Sequence, residues 1–199
     1  MGEPLIYLAS ASPRRSELLR QVGVAHAVRP VETDESRNSG EDPAAYVLRL
    51  AEAKACMLWS SLPAAERRPV LAADTTVVLD GEVFGKPSCR DEGLAMLGRL
   101  SGRTHAVHTA VALLHASGGA SRVSTSHVSM RGISPAEMDW YWRTGEPFDK
   151  AGGYAIQGRA AIFIRHLAGS YSGVMGLPLC ETWELLATVP GLIAGGAPA

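Results

Sequence analysis

The sequence predicts a mixed α/β fold, and three observations carry it. Short apolar runs alternate with capped helical segments, two glycine-marked hairpins interrupt that alternation, and the chain opens on a strand, loop and helix in series. Alternation alone would build a parallel sheet; the hairpins add antiparallel neighbours, so the sheet is mixed.

Residues 5–9 are short, continuous and apolar and read as a buried strand, after which Ser12 and Pro13 open a helix that runs to about residue 21 and stops at Gly23. An acidic, loop-like stretch spans 30–43. Asp42 as N-cap with Pro43 at the first helical position starts a helix to about residue 59, with Tyr46, Leu50, Ala53 and Met57 as its expected apolar stripe. Beyond a polar break at 60–69, residues 70–73 and 76–79 are strand-like, and Asp80-Gly81 is the pair a type I′ hairpin requires. A helix is expected over 91–100, then two strands over 105–115 and 120–130 joined at Gly118-Gly119. Ser134-Pro135-Ala136-Glu137 opens another helix that ends at Gly145. Residues 158–165 read as a strand, 169–176 as a glycine-rich turn, and Pro178 begins a last helix to about residue 188. Residues 1–190 are expected to form a single domain, with 191–199 as a flexible tail rich in Gly, Ala and Pro.

Composition excludes several classes of function. At 199 residues and 46% hydrophobic, the chain closes a sizeable core, and 20% charged residues argue against disorder. A formal net charge of −1 supplies no basic field for a nucleic-acid backbone, so any phosphate site is local. No apolar run approaches the ~18 residues of a membrane span, and residues 5–9 are too short for a signal-peptide core. Cys56, Cys89 and Cys180 are far apart and outside any CxxC spacing, which fits unpaired thiols in a reducing, cytoplasmic setting.

An internal comparison isolates one unusual feature. Ser12-Pro13-Arg14-Arg15 and Ser134-Pro135-Ala136-Glu137 share an N-cap serine and a proline at the first helical position, but differ in charge at the third. Glu137 can complete a capping box, whereas Arg15 repels the positive end of the helix dipole. Free amides, the Ser10 and Ser12 hydroxyls and two guanidiniums gathered in one volume suit a polyphosphate. The alternative is a pair of solvated arginines relieved by Glu17, and the residues alone leave both readings open.

Asp74 follows four apolar or small residues and is expected at the end of a buried strand, where a carboxylate needs a partner. A divalent cation shared with Glu32, Asp34 or Glu35 would provide one; a cap on the following turn is the alternative. Lys54 borders the apolar stripe of its helix and either snorkels or, like Lys86 between Gly85 and Pro87, aims an ammonium at phosphate. His105 and His108 fall on opposite faces of a strand, and His115 and His127 are expected to pair across neighbouring strands, so the histidines form no metal trap. Trp140, Trp142 and Trp183 read as core. Gln157 carries the donor and acceptor needed to read a base edge, or closes a turn.

Taken together, ASASPRRSELL, the Lys54 helix, AADTTVVLDGEVFGKP, LSGRTHAV, EPFDKAGGYAIQG and GSYSGVMGLPL, in that order, resemble the Maf family of nucleoside triphosphate pyrophosphatases, historically called septum formation inhibitors. The resemblance implies a fold shared with inosine triphosphate pyrophosphatases: an elongated mixed sheet flanked by helices, with two lobes around a central cleft. It also implies a homodimer, a divalent cation (Mg²⁺ or Mn²⁺) and a nucleoside triphosphate substrate. By the same resemblance Asp74 is the catalytic carboxylate and Glu35 helps it hold the metal. Ser10, Arg14, Lys54, Thr75, Lys86 and Gln157 are substrate-binding, with Arg14, Thr75 and Gln157 tuning substrate choice. The DKAGxYxIQG form points to the dTTP/UTP branch. Gly173 departs from relatives that carry a larger side chain, and is expected to alter pocket shape. Two other readings of the cleft are a non-catalytic nucleotide-binding regulator of cell division and a purine-directed pyrophosphatase acting on ITP or 7-methyl-GTP.

Overall fold

A seven-stranded mixed sheet runs through the protein in the order β2-β1-β3-β5-β6-β7, with β4 paired to β3. The computed structural model describes residues 5–193, so the expected tail over 191–199 lies mostly outside the described residues. In chain order the strands are β1 (Ile6–Leu8), β2 (His26–Val28), β3 (Val70–Leu79), β4 (Glu82–Phe84), β5 (Thr104–His115), β6 (Gly118–Met130) and β7 (Ile164–Ala168). The helices are α1 (Pro13–Gln21), α2 (Pro43–Ser61), α3 (Arg90–Leu100), α4 (Pro135–Arg143), α5 (Tyr171–Met175) and α6 (Leu179–Ala187). β1 pairs in parallel with β2 and β3, and every other pairing is antiparallel, with hairpins joining β3 to β4 and β5 to β6.

The period-2 alternation of β3 organises the core. Val70 and Ala72 pack with Val47, Ala51, Ala55 and Leu58 of α2 on one face. Leu71 and Ala73 pack with Leu18 and Leu19 of α1 and Leu185 and Leu186 of α6 on the other. Farther along, Val77 and Leu79 enter a separate cluster with Leu97 and Leu100 of α3 and Tyr141 of α4. The apolar core thus divides toward the two ends of β3, and the middle of that strand is where polar residues can surface. β1 ends beside Leu71, and β4 runs from opposite Leu79 to opposite Val77, so residues 74–76 have a strand neighbour on the β5 side only.

Several expectations are corrected. β3 is one continuous strand rather than two pieces, because β5 pairs with it without interruption from Val70 to Val78. Asp74 therefore sits mid-strand, not at a strand end. β2 is too short to carry a pattern and was not anticipated. Residues 159–163 form a short helical turn instead of a strand, since the Glu146 carboxylate accepts from the amides of Arg159 and Ala160; β7 follows. The glycine-rich turn contains α5, capped by Ser170 Oγ, which accepts from the Gly173 amide. On α2 the buried face is Val47, Leu50, Ala51, Lys54, Ala55 and Leu58, so Met57 of the expected stripe is exposed. His115 and His127 do not pair: His115 opposes Gly118 and His127 opposes Ala106. Trp142 is buried, but Trp140 is 45% exposed. No helix among the described residues is long and apolar enough to cross a membrane.

Candidate active site

The alternation that sends Val70 and Ala72 toward α2 carries Asp74 to the same face, and the next residue, Thr75, to the opposite one. Asp74 thereby meets Lys54, which occupies the buried face of α2 and is only 8% exposed. Lys54 Nζ donates to Asp74 Oδ1 at 2.7 Å and to Glu35 Oε1 at 2.6 Å. Two carboxylates thus converge on one ammonium, which answers how the chain tolerates a carboxylate in a buried strand. Burial works against ionisation of Glu35, but the Lys54 hydrogen bond and the charges of Lys54, Lys86 and Arg15 outweigh it and hold its carboxyl below the usual range. Tyr46 fixes the Glu35 loop by donating to the Glu35 carbonyl at 2.7 Å.

On the other face Thr75 meets Arg15. Arg15 Nη2 donates to Thr75 Oγ1 at 3.2 Å, Nη1 to Ser10 Oγ at 2.9 Å and Nε to the Gly176 carbonyl at 2.8 Å. The two arginines at the start of α1 therefore diverge: Arg15 turns inward, whereas Arg14 reaches Asp149 at 3.3 Å across the cleft mouth. The comparison between helix starts holds in the geometry. Ser134 and Glu137 form a complete capping box, whereas the Ser12 side chain makes no cap bond and its amide donates to Ser10 Oγ at 3.2 Å.

These groups line one cleft of about 490 Å³, a size suited to a nucleotide. It brings together Ser10, Arg14, Glu35, Lys54, Asp74, Thr75, Lys86 and Gln157, whereas Glu32 and Asp34, the other two carboxylates offered by the acidic loop, do not line it. It also holds Lys150 and Tyr154, which the sequence did not single out, and Tyr46, expected only as part of the apolar stripe of α2. Lining cations (Arg14, Arg15, Lys54, Lys86, Lys150) outnumber lining carboxylates (Glu35, Asp74, Asp149), in a chain whose formal net charge is −1. Such an excess favours an anionic ligand.

Gln157 is placed by its neighbour. A Cβ on Gly158 would lie 2.4 Å from the Glu146 carboxylate oxygens, so only glycine lets Glu146 cap the turn that follows Gln157. Gly173 does not shape the cleft as expected: a Cβ there would meet Ser170 Cβ at 3.0 Å and Ser124 Oγ at 3.5 Å, and neither residue lines it.

Asp74 and Glu35 offer hard oxygen ligands close enough to share one ammonium, and no group of three or more His, Cys, Asp or Glu suited to a metal occurs among the described residues. Two carboxylates suit an ion such as Mg²⁺ that keeps several waters and takes further ligands from substrate phosphates. The residues fit the group.

The family model described as Maf-like protein matches residues 5–189. The chain belongs to the Maf family. This Maf-family chain is 55% identical over 186 residues to a dTTP/UTP pyrophosphatase of Alkalilimnicola ehrlichii, covering 92% of each chain. A dTTP/UTP pyrophosphatase of Bordetella avium is 55% identical over 192 residues, covering 92% of this chain and 94% of the relative. One of Saccharophagus degradans is 53% identical over 183 residues, covering 91% and 87%.

Proposed function

We propose that this Maf-family protein hydrolyses nucleoside triphosphates, dTTP and UTP foremost, to the nucleoside monophosphate and pyrophosphate. The observation that carries this reading is the Asp74–Lys54–Glu35 cluster at the floor of a cleft with surplus cations, in a chain 55% identical to relatives named for that activity.

In this reading the triphosphate lies against Ser10, Arg14, Lys54 and Lys86, whose positive groups and donors offset its charge. Phosphoryl chemistry depends on such neutralisation and positioning more than on covalent help. Lys54 occupies Oδ1 of Asp74, and Oδ2 makes no hydrogen bond to the described residues. Oδ2 accepts a proton from a water as that water's oxygen bonds to the α-phosphorus. The bond from the α-phosphorus to its bridging oxygen breaks, and pyrophosphate leaves with the electron pair. A Mg²⁺ or Mn²⁺ ion held by Asp74 and Glu35 would supply charge neutralisation and a more acidic water. Thr75 and Gln157, both lining the cleft, contribute to substrate choice.

The single continuous sheet supports treating residues 1–190 as one domain, and three exposed, unpaired thiols (Cys56, Cys89, Cys180) support a cytoplasmic setting. The family resemblance extends the reading to a homodimer, which sedimentation would check. The activity test is incubation with Mg²⁺ and each of dTTP, UTP, CTP, ITP and 7-methyl-GTP, with identification of products. Pyrophosphate from dTTP and UTP supports the reading. Preference for ITP or 7-methyl-GTP would redirect it to purines, and no turnover of any nucleotide would sink it.

A further inference from the structure

Arg15 poses a physical problem that the proposed chemistry leaves unsolved. Its guanidinium is half-buried at the cleft, yet among the described residues it has no ion-pair partner; three of its five donors end on a carbonyl and two hydroxyls. Burial, reinforced by the charge of Arg14, pushes its pKa down against the pull of Asp74 and Glu35. A cation drawn partly out of water and met only by neutral oxygens is costly to keep. A lysine would carry the same charge, but one ammonium lacks the rigid fork that reaches three acceptors in three directions.

The acceptor side explains the fork. A serine hydroxyl has two acceptor positions and one proton. Ser10 Oγ accepts from Arg15 Nη1 at 2.9 Å and from the Ser12 amide at 3.2 Å, so both acceptor positions are filled. Its remaining capacity is to donate, and no described residue accepts that proton. Ser10 lines the cleft, so the proton is left for a ligand that can only accept, such as a phosphate oxygen. Thr75 is held from both sides instead: its oxygen accepts from Arg15 Nη2 at 3.2 Å, and its hydroxyl lies 3.0 Å from Thr109 Oγ1, whose own proton goes to the Gly173 carbonyl at 2.7 Å.

We propose that Arg15 is a positioning residue: it commits the Ser10 hydroxyl to donate to the triphosphate and locks the Thr75 side chain beside it. This inference rests on the nucleotide reading above. It assigns the two arginines different work, Arg14 paired with Asp149 and Arg15 bonded to the two hydroxyls.

The test is a double-mutant cycle on affinity for dTTP carrying a methylene bridge between the α- and β-phosphorus, measured by calorimetry with Mg²⁺. Ser10→Ala and Arg15→Met should each weaken binding roughly tenfold or more, the scale of one hydrogen bond to a charged group. The double variant should bind no more than about twofold worse than the weaker single, because Arg15 acts through Ser10. Losses that multiply would overturn the inference, showing a direct contact or a general structural role. Should Arg15→Met fail to fold, Arg15→Lys carries the cycle; it keeps the charge but not the fork, and wild-type affinity in that variant would also overturn the inference. In wild-type protein, the Arg15 Nε–H resonance should stay protected by Gly176 and shift little when the analogue is added, and a large shift would likewise refute it. Failure of the wild-type protein to bind the analogue at all would refute the nucleotide reading, and this inference with it.

Discussion

Lys54 and Asp74, twenty residues apart in sequence, form a buried ion pair at 2.7 Å in the middle of the central strand. The pair exists because the buried face of α2 and the even-numbered face of β3 coincide. Lys54 stands where an apolar residue would complete the helix stripe, and Asp74 where one would continue Val70 and Ala72. Two positions that ordinary core packing would fill with methyl groups hold opposite charges instead.

If Asp74 is the proton acceptor, Asp74→Asn should lower turnover of dTTP by about 10³-fold, within the range for loss of a general base, while leaving nucleotide binding largely intact. Steady-state kinetics paired with calorimetry would check both halves. Near-normal rates would show that the assignment is wrong.

Lys54→Met removes the cation and leaves a buried carboxylate uncompensated, so it should destabilise the fold by about 3 kcal/mol. Urea unfolding would measure this. Adding Asp74→Asn should recover part of the loss, because the stranded charge is then gone; a double variant no more stable than Lys54→Met would contradict the pairing.

His105 is 2% exposed, with Nε2 2.7 Å from the Tyr154 hydroxyl and a buried Nδ1 that has no partner among the described residues. Burial pushes its pKa down to about 4 from 6.5. Between those values the unfolded chain binds the proton and the folded one does not, so stability is full above the upper value and falls as pH drops toward the lower. From pH 7 to 5 the loss from this residue should be on the order of 2 kcal/mol. Denaturation midpoints across that range, compared with a His105→Gln variant whose slope should be flatter, would test it.

The two helix starts should respond unequally to the same change. Ser134→Ala breaks a complete capping box and should cost about 1 kcal/mol, whereas Ser12→Ala removes a side chain with no cap bond and should stay within about 0.5 kcal/mol. Thermal melts of the two variants suffice. Equal losses would mean that α1 is capped in a way its geometry does not reveal.

Much of this arrangement was legible in the sequence, for identifiable reasons. Caps and hairpin pairs are local signals, so Asp42, Ser134 and Asp80-Gly81 placed α2, α4 and the β3–β4 turn close to where they lie. The absence of an acid at the third position of α1 flagged Arg14 and Arg15 for the same reason. What escaped was long-range. A three-residue strand such as β2 carries no period, and nothing near residue 159 indicates that Glu146 will cap a turn there. The stripe of α2 was misjudged because Lys54 counts as polar in any pattern, although its partners bury it. Likewise the divergence of Arg14 from Arg15 depends on Asp149 and Gly176, each more than 130 residues away.

The Arg15 fork also bears on how the protein is made. Its three bonds close sequence separations of 5, 60 and 161 residues, whereas the β5–β6 hairpin turns within a few residues. Local pairings form early and distant ones late. During synthesis at roughly 5–20 residues per second, Arg15 waits on the order of ten to thirty seconds for Gly176 to be made. The cleft therefore assembles only once nearly the whole chain is present, and a nascent or truncated chain that lacks α5 holds the first arginines of the site without the carbonyl that locks them.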